Sequence, residues 1–352
     1  MRMISSERPK PRFHSISQRG QVLQLVNRIA AIAAAIVVSN SALAQTQPDA
    51  PPSAPPAPVG QVDSARSARV VDAPTVASPR TPPNGCPISG NELGAVRAGV
   101  ATAFLGGNAY LYHYFKKAWW SGERSDGFFF NADWDMEFRD QDKFGHLFGG
   151  YHLTRLGYAG LHAACVSKTK ALIASSVYAA LFQLQIEIFD ARFEKYGFSY
   201  PDLLANTAGQ AFAVAQELNP RLKAIKPTFS YRKTRALKNR VPESELRPSI
   251  DYSGQTYWVS TDVNRLLPDG AKQYWPSFIR FSAGHSITDW IGPSGIGFRA
   301  KRKILLSLDF DPEKLPGDAP IWRSIKKGLS YYHFPAPALQ ITPSFDLVPW
   351  YR

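Results

Sequence analysis

Hydrophobic positions are spaced differently in the two halves of the chain. Up to about residue 218 they recur with helical spacing, and four helices are predicted, over residues 93–117, 140–165, 169–196 and 201–218. Beyond about residue 256, short β-rich segments alternate with Gly and Pro clusters, at 256–262, 278–285, 303–311 and 338–345. The pattern therefore predicts an α+β fold, a helical bundle of about four helices followed by a β-rich C-terminal segment.

Two local signals refine this prediction. Ser199 is followed by Pro201 and Asp202, a capping-box-like start for the fourth helix, and Asn219-Pro220 ends it. The third β-rich segment shows a weak period-two alternation. In it, Ile304, Leu306, Leu308 and Phe310 alternate with Leu305, Ser307 and Asp309.

The N-terminal residues have the organisation of a secretory signal. Residues 1–28 are basic and polar, residues 29–38 are apolar, and small residues precede a predicted cleavage after residue 44. The residue directly after that point is Gln45 and not a cysteine, so a lipobox anchor is not expected, and an uncleaved N-terminal anchor is the alternative. The predicted organisation is signal peptide 1–44, Pro/Ala-rich linker 45–84, helical bundle 85–220, basic connection 221–250 and β-rich segment 251–352.

Charge and cysteine content narrow the partner classes. The formal net charge of +13 suits an anionic lipid or a cell-wall component, although a solvated basic surface without a specific partner is the simpler interpretation. Export to the periplasm or cell envelope argues against a nucleic-acid partner. An oxidising compartment would allow a disulfide between Cys86 and Cys165, which the sequence alone leaves open.

The third predicted helix carries a polar stripe within an apolar sequence. Gln183, Glu187 and Asp190 are spaced four and then three residues apart, so they share one face. A helix this apolar should be largely buried, and a buried ionised carboxylate without partners would cost several kcal/mol. Glu187 and Asp190 must therefore meet donors, a metal ion or water.

The neighbouring helices supply polar pairs at the same one-turn spacing. Asp142 and His146 share a face of the second helix, and Asp202 and Asn206 share a face of the fourth. Glycines beside these pairs would let the helices approach closely. The sequence therefore predicts a buried polar cluster. Its candidate members are Asp142, His146, Glu187, Asp190, Asp202 and Asn206.

Simpler roles for these residues remain open. Asp202 is also a helix cap, Asp142 also suits a helix N-terminus, and His146 has the alternative of a hydrogen-bonded core histidine. Glu187 and Asp190 have the alternative of pairing with Arg192 or Arg155. A further acidic run, Asp133-x-Asp135-x-Glu137, lacks the glycine and terminal glutamate of an EF-hand and is interpreted as a solvated loop.

These motifs resemble a known bacterial family. Asp142-Lys143-x-x-His146, Glu187-x-x-Asp190 and Asp202-x-x-x-Asn206-x-x-Gly209 are similar to motifs of the YfiM-like predicted periplasmic proteins, a family of unknown function. A looser resemblance extends to VanZ-like membrane proteins, which are linked with lipoglycopeptide resistance. The resemblance implies a location in the envelope and positions for a site. It implies no reaction.

Two functions follow as hypotheses. The first is a non-catalytic envelope protein with a binding or assembly role. The second is a metal-assisted hydrolase of an envelope substrate, in which His146, Glu187, Asp190 and Asp202 serve as ligands or acid–base groups. No common hydrolase motif supports it, and the metal and cofactor are open. The first helix is also apolar over about 20 residues, enough to cross a bilayer, so membrane association is a further expectation.

Overall fold

The computed structural model describes residues 86–88, 90–120, 122–235, 237, 248–291 and 297–351. The predicted signal peptide and the predicted linker lie outside the described residues. Within the described part, helices come first and an antiparallel sheet of six strands follows them. This arrangement confirms the predicted α+β class with a C-terminal β segment.

Four long helices form the N-terminal half. They are α1 Gly90–Ala118, α2 Gln141–Ala163, α3 Lys168–Asp190 and α4 Tyr200–Leu218. Only α3 departs clearly from its predicted bounds, because it ends at Asp190 rather than near residue 196. The backbone N–H groups of Phe193 and Gly197 both donate to the Asp190 carbonyl oxygen, at 3.0 Å each, and turn the chain back. Gly197 has a φ of 82°, a conformation that glycine adopts without strain.

Close backbone contact and a disulfide hold these helices together. A Cβ atom on Gly209 of α4 would overlap the Leu147 carbonyl of α2, and one on Gly150 would overlap the Asn206 carbonyl. The two helices therefore cross with their backbones in contact, as the glycines predicted. Cys86 and Cys165 form a disulfide with their Cα atoms 5.6 Å apart, which links the start of α1 to the end of α2.

The sheet follows the chain order of its strands. A short parallel pair, β1 Phe130–Asn131 and β2 Phe198–Ser199, lies within the helical half. The main sheet has the order β3-β4-β5-β6-β7-β8, with every neighbouring pair antiparallel. Its strands are β3 Ile225–Tyr231, β4 Gln255–Thr261, β5 Ile279–Ile287, β6 Arg302–Phe310, β7 Ala336–Thr342 and β8 Asp346–Tyr351. Short helices α5 Val263–Leu266 and α6 Pro320–Leu329 lie in its connections.

Two strands lie where none was predicted. β3 occupies part of the segment that the sequence analysis assigned to a basic connection, and β8 follows the last predicted β-rich segment. Both contain a proline, Pro227 and Pro349, and proline is rare inside strands because it cannot donate to the ladder. Here β8 is an edge strand of the sheet, and β3 lies at the other end of its strand order.

One end of the sheet packs on α2. Phe148 of α2 contacts Phe229 of β3 and Tyr257 of β4, with ring centroids 5.7 and 5.8 Å away. The His285 ring of β5 stacks on Phe144 at 4.3 Å, and its Nδ1 atom lies 2.8 Å from Gln141 Oε1. The sheet therefore covers the first turns of α2, where the predicted polar residues begin.

Among the described helices, α3 is the one whose length and hydropathy would suffice to cross a membrane, with a third of the qualifying window buried inside the protein. From the sequence, α1 was expected to be long and apolar enough to cross a bilayer, but α1 lacks the mean hydropathy that α3 has. Core helices of soluble proteins also have this composition, so it is weak evidence for a span.

Candidate functional site

Lys143 lies at the centre of three carboxylates near the start of α2. Its Nζ atom lies 2.7 Å from Asp133 Oδ2, 2.8 Å from Asp142 Oδ2 and 3.0 Å from Asp202 Oδ1. Burial alone would lower the Lys143 pKa, but the charges of Asp142 and Asp202 and a hydrogen bond to Asp133 outweigh it, so the pKa is raised. The ammonium group therefore stays protonated and neutralises part of this acidic group.

His146 lies one turn further along α2, between two other carboxylates. Its Nδ1 atom is 3.6 Å from Glu187 Oε1, and its Nε2 atom is 3.7 Å from Asp202 Oδ2. Burial acts to lower the His146 pKa, but the charges of Asp202, Glu187 and Asp142 together raise it to about 9. At neutral pH the ring is consequently an imidazolium with a proton on each nitrogen.

Glu187 is the most deeply buried carboxylate of the group, with none of its side chain exposed. The Ser199 backbone N–H donates to its Oε2 atom at 3.3 Å, while Oε1 accepts no hydrogen bond among the described residues. Burial raises the Glu187 pKa to about 8, although the charge of His146 acts to lower it. Glu187 is thus largely protonated at neutral pH.

An amide network joins the same three helices on the inner side of His146. Asn206 Oδ1 of α4 lies 3.1 Å from His146 Nδ1 and accepts a short hydrogen bond from Gln183 Nε2 of α3. Gln183 Nε2 also donates to the His146 carbonyl at 3.1 Å, and Gln210 Nε2 donates to Gln183 Oε1 at 3.0 Å. These bonds fix the orientation of the His146 ring relative to α3 and α4.

Asp190 lies beside the cluster rather than within it. Its Oδ1 atom accepts a hydrogen bond of 2.5 Å from Trp120 Nε1, and burial raises its pKa to about 7. Asp190 lies one helical turn after Glu187 on the same face of α3, as predicted. Its carboxylate bonds to Trp120, just after the end of α1. The structure brings the other five predicted residues together, and Asp142, whose pKa burial and Asp202 raise to about 7, reaches them through Lys143.

Asp133 corrects the interpretation of the acidic run as a solvated loop. Its side chain is mostly buried, and its Oδ1 atom accepts a hydrogen bond of 2.6 Å from Ser199 Oγ. The parallel pairing of β1 with β2, with Asn131 opposite Ser199, brings this loop to the start of α4. A pairing only two residues long leaves no periodic signal in the sequence. Asp135 of the same run binds Arg139, Arg299 and Arg302.

The simpler roles proposed for these residues are partly realised. The Ser199 hydroxyl accepts from the Asp202 backbone N–H at 3.1 Å, so Ser199 caps α4. The Ser199 backbone N–H donates to Glu187. The Asp202 carboxylate contacts Lys143 and His146 in place of the capping role expected for it. Arg155 pairs with Glu217 at 2.9 Å, which removes it as a partner of Glu187.

Tyr257 of β4 lies beside the start of α2, next to the cluster. A Cβ atom on Gly145 would lie 3.0 Å from the Tyr257 hydroxyl, so this glycine gives the tyrosine room beside Asp142. Burial and the charge of Asp142 raise the Tyr257 pKa, which keeps the hydroxyl protonated. The hydroxyl donates to Gln255 Oε1 at 3.0 Å.

Two groups of side chains have the spacing of a metal site. One is Asp133, Asp142 and Asp202, and the other is His146, Glu187 and Asp202; within each, the ligand atoms lie within 4.8 Å of one another. The Lys143 ammonium already lies among the three aspartates of the first group. The second group combines one imidazole nitrogen with two carboxylates, a donor set that fits a borderline divalent ion, and it includes the unbonded Glu187 Oε1 atom.

One protein family matches this region of the chain. Residues 126–217 match a family model described as "Predicted periplasmic lipoprotein (DUF2279)". The chain is a periplasmic or cell-envelope protein. The match spans a little over a quarter of the sequence and includes every residue of the polar cluster on α2, α3 and α4. It supports the resemblance to a periplasmic family of unknown function and leaves the YfiM-like and VanZ-like resemblances as predictions. No curated protein and no solved structure matches the chain.

Proposed function

We propose that this chain is a non-catalytic envelope protein with a binding or assembly role, in which the polar cluster fixes the architecture. The observation that carries the proposal is the mutual compensation of the cluster's charges. Lys143 contacts three carboxylates and His146 contacts two, and Asp202 belongs to both sets. The cluster thereby ties the Asp133 loop, α2, α3 and α4 to one another.

Burial supports this role over catalysis at the cluster. The side chains of Lys143, Asp142 and Asp202 are each at most 10 % exposed, and Glu187 is fully buried. A hydrolase must bring a substrate carbonyl or phosphoryl group to within about 3 Å of its catalytic groups. His146, with 17 % of its side chain exposed, is the most accessible of the three residues in the second group with metal-site spacing.

The partner in this proposal is an anionic lipid or an anionic cell-wall component. Without residues 1–44 the chain has 35 Lys or Arg and 27 Asp or Glu, and this net positive charge and the envelope location support that class. To test the binding role, the chain lacking residues 1–44 would be sedimented with purified peptidoglycan and, separately, with anionic vesicles. Retention on one of the two at moderate salt is expected. Retention on neither would contradict the proposal.

A second candidate, the metal-assisted hydrolase, is favoured by one observation, the proximity of His146, Glu187 and Asp202. If a divalent ion binds there, these residues would hold it, and its chemistry would be to activate a water molecule. Elemental analysis of the purified chain separates the two proposals. One bound ion that disappears in His146→Ala, but not in the exposed α2 control His162→Ala, would favour the hydrolase. Absence of metal together with reduced stability in His146→Ala would favour the architectural role.

A further inference from the structure

The six-stranded sheet has mostly polar side chains inside, around a small buried apolar cluster of Trp258, Leu305 and Ala338, and apolar side chains outside. Its concave face is lined by buried hydroxyl and charged side chains that bond to one another. Ser260 Oγ lies 2.7 Å from both Thr228 Oγ1 and Ser282 Oγ, and the Arg280 guanidinium forms a short ion pair with Asp309. Sheets of soluble proteins bury their apolar face and turn the polar face to water, so this sheet has the opposite polarity.

The sheet curls far enough to enclose this polar interior. The Tyr351 hydroxyl of β8 lies 3.1 Å from Thr256 Oγ1 of β4 across the concave face. On the other side, Phe229 of β3 exchanges backbone hydrogen bonds of 3.0 Å with Tyr331 and His333, in the segment before β7. The His333 ring stacks on Trp258 at 3.8 Å and fills the centre. Many of the interior polar groups thus bond to one another within the fold, although His333 Nε2 and Arg280 Nε have no hydrogen-bond partner among the described residues.

The convex face carries an apolar row across all six strands, and this row is buried at its β3 end, where Pro227 lies. Strand pairing places six residues side by side, Pro227, Val259, Ala283, Leu306, Leu339 and Leu347. At about 4.8 Å per strand the row is about 24 Å wide. Val259 is 52 % exposed and Leu347 is 63 % exposed. Phe281, which pairs with Leu308, extends the surface toward one end of the sheet, and both are exposed. We call these eight residues the apolar face.

The same end of the sheet has a basic cavity. β4 and β6 end there and β3 and β5 begin there, and the cavity, of about 300 Å³, is lined by residues at these four ends. Seven of its lining residues are Lys or Arg, and three are Asp or Glu. Five of the seven cations have carboxylate partners. No ion pair of Arg265 or Lys327 is found within the described ranges, and Arg265 donates to the Pro220 carbonyl at 3.1 Å. The cavity therefore has positive charge available for an anion.

Helix α6, which follows β6 at this end of the sheet, also exposes its apolar side chains and buries a charged one. Ile321, Ile325 and Leu329 are spaced four residues apart and are all exposed, with Arg323 and Lys327 on the other side. Its buried side chain is Lys326, whose Nζ atom donates to the carbonyls of Leu315 and Gly317. An exposed apolar stripe beside basic residues is typical of helices that lie in a membrane interface.

We propose that the apolar face and the exposed stripe of α6 insert into the acyl region of an anionic phospholipid bilayer, with the basic cavity facing the phosphate headgroups. Each part of this surface has a counterpart in a lipid. The apolar face suits acyl chains, and Arg265 and Lys327, which have no carboxylate partner among the described residues, suit phosphate. The hydrogen bonds and the ion pair of the interior lie on the opposite side of the sheet, so replacing water by lipid on the convex side leaves those contacts unchanged. The periplasmic family match places the chain beside such membranes. The proposal deepens the binding role by naming its partner, and vesicle binding can fail while the polar cluster keeps its stabilising role.

Flotation of the chain lacking residues 1–44 with vesicles tests the apolar face. The variant Val259→Thr/Phe281→Thr/Leu308→Thr keeps residues that favour strands but removes the apolar contact. Its affinity for vesicles of phosphatidylcholine with phosphatidylglycerol is expected to fall at least about tenfold, with an unchanged melting temperature. The matched control is Ile173→Gln/Val177→Gln on α3, where both side chains are also exposed. This control should change binding less than about twofold.

A second variant tests the headgroup contact. Arg265→Gln/Lys327→Gln is expected to lose about thirtyfold in affinity for the anionic vesicles and almost nothing for vesicles of phosphatidylcholine alone, because it removes two cations from the side that faces the anionic headgroups.

Three outcomes would overturn the proposal. One is wild-type binding by the sheet variant, and a second is weaker binding in the α3 control instead, which would make α3 the attachment. The third is a dimer in solution that dissociates in the sheet variant and shows no vesicle binding, which would assign the apolar face to a second copy of the chain.

Discussion

The Nε2 atom of His146 lies 3.7 Å from the Oδ2 atom of Asp202, and this contact joins the first turns of α2 and α4. Asp202 also contacts Lys143, so a single carboxylate serves both cations of the cluster. Removing one charge should consequently leave others unpaired within a buried volume. The stability of the helical half should therefore respond to single substitutions that an exposed site would tolerate.

Replacing Lys143 with methionine should be strongly destabilising. The substitution keeps the length of the side chain but leaves Asp133, Asp142 and Asp202 without their cation, and loss of one partner of a buried ion pair costs about 3–5 kcal/mol. Urea unfolding monitored by circular dichroism would measure the change. Lys170→Met on the exposed surface of α3 is the matched control and should alter the free energy of unfolding by less than about 0.5 kcal/mol. Equal effects of the two substitutions would show that the Lys143 contacts contribute little.

Two substitutions of Glu187 should differ in their effect. Since burial raises the Glu187 pKa to about 8, the side chain is neutral at pH 7, and glutamine reproduces its shape and charge. Glu187→Gln should cost less than about 1 kcal/mol, whereas Glu187→Ala should cost about 2–4 kcal/mol because it opens a cavity and strands the Ser199 backbone N–H. Thermal unfolding at pH 7 would compare them, with the exposed Glu194→Gln as a control. An alanine variant that melts at the wild-type temperature would argue against the burial of Glu187.

The sequence predicted much of this cluster, for a definite physical reason. Asp142 and His146, like Asp202 and Asn206, repeat at one helical turn, so helical periodicity alone assigned each pair to a single face. Glycines at the helix crossings indicated that those faces could meet. The prediction of four helices followed by β-rich segments rested on the same periodic signals.

The parts of the cluster that the sequence did not predict depend on contacts that leave no periodic pattern in the sequence. Asp133 joins the cluster because two residues of β1 pair with β2, and no pattern announces so short a pairing. Asp190 shares a helix face with Glu187, and only the position of Trp120, two residues after α1 ends, decides that it lies outside the cluster. The alternation in β6 was detectable, but which of its two faces is buried depends on how the whole sheet curls.

The stability of the helical half should decrease as the pH rises from about 6.5 to 9. The His146 pKa is about 9 in the folded chain and about 6.5 when unfolded, so its contribution is complete below pH 6.5 and is lost as the pH passes 9. Glu187, with a pKa raised to about 8, acts in the same direction, because its proton is lost more easily from the unfolded chain. Together they should lower the free energy of unfolding by about 2–4 kcal/mol across this range.

Urea titrations at several pH values would check this trend. His146→Gln should flatten it, and the exposed His162→Gln should not. A bound divalent ion would reverse the slope, since metal ligation needs a neutral imidazole and ionised carboxylates. Stability that rises between pH 6.5 and 9 would therefore count against the charge-compensated cluster and in favour of the metal site.

Reducing the disulfide should destabilise the chain substantially. Cys86 and Cys165 are 79 residues apart, and a cross-link that closes a loop of this length contributes about 4 kcal/mol through the entropy of the unfolded chain. Melting temperatures with and without a reductant would reveal the effect. The variant Cys86→Ala/Cys165→Ala should melt with the reduced protein and should not respond to the reductant. A difference smaller than about 1 kcal/mol would mean that the loop is already restricted by other contacts in the unfolded state.

A pair of glycine substitutions should separate helix packing from helix propensity. Gly209→Ala places a methyl group against the Leu147 carbonyl of α2 and should cost about 2–4 kcal/mol, because the helices that carry His146 and Asp202 are forced apart. Gly107→Ala on α1 meets no atom within 4 Å and should stabilise the chain by up to about 1 kcal/mol through helix propensity alone. Thermal unfolding measures both, and the His146 pKa, followed by NMR, should move from about 9 toward its ordinary value only in Gly209→Ala. If Gly209→Ala also stabilised the chain, α2 and α4 could not lie as close together as the shared contacts of Asp202 require.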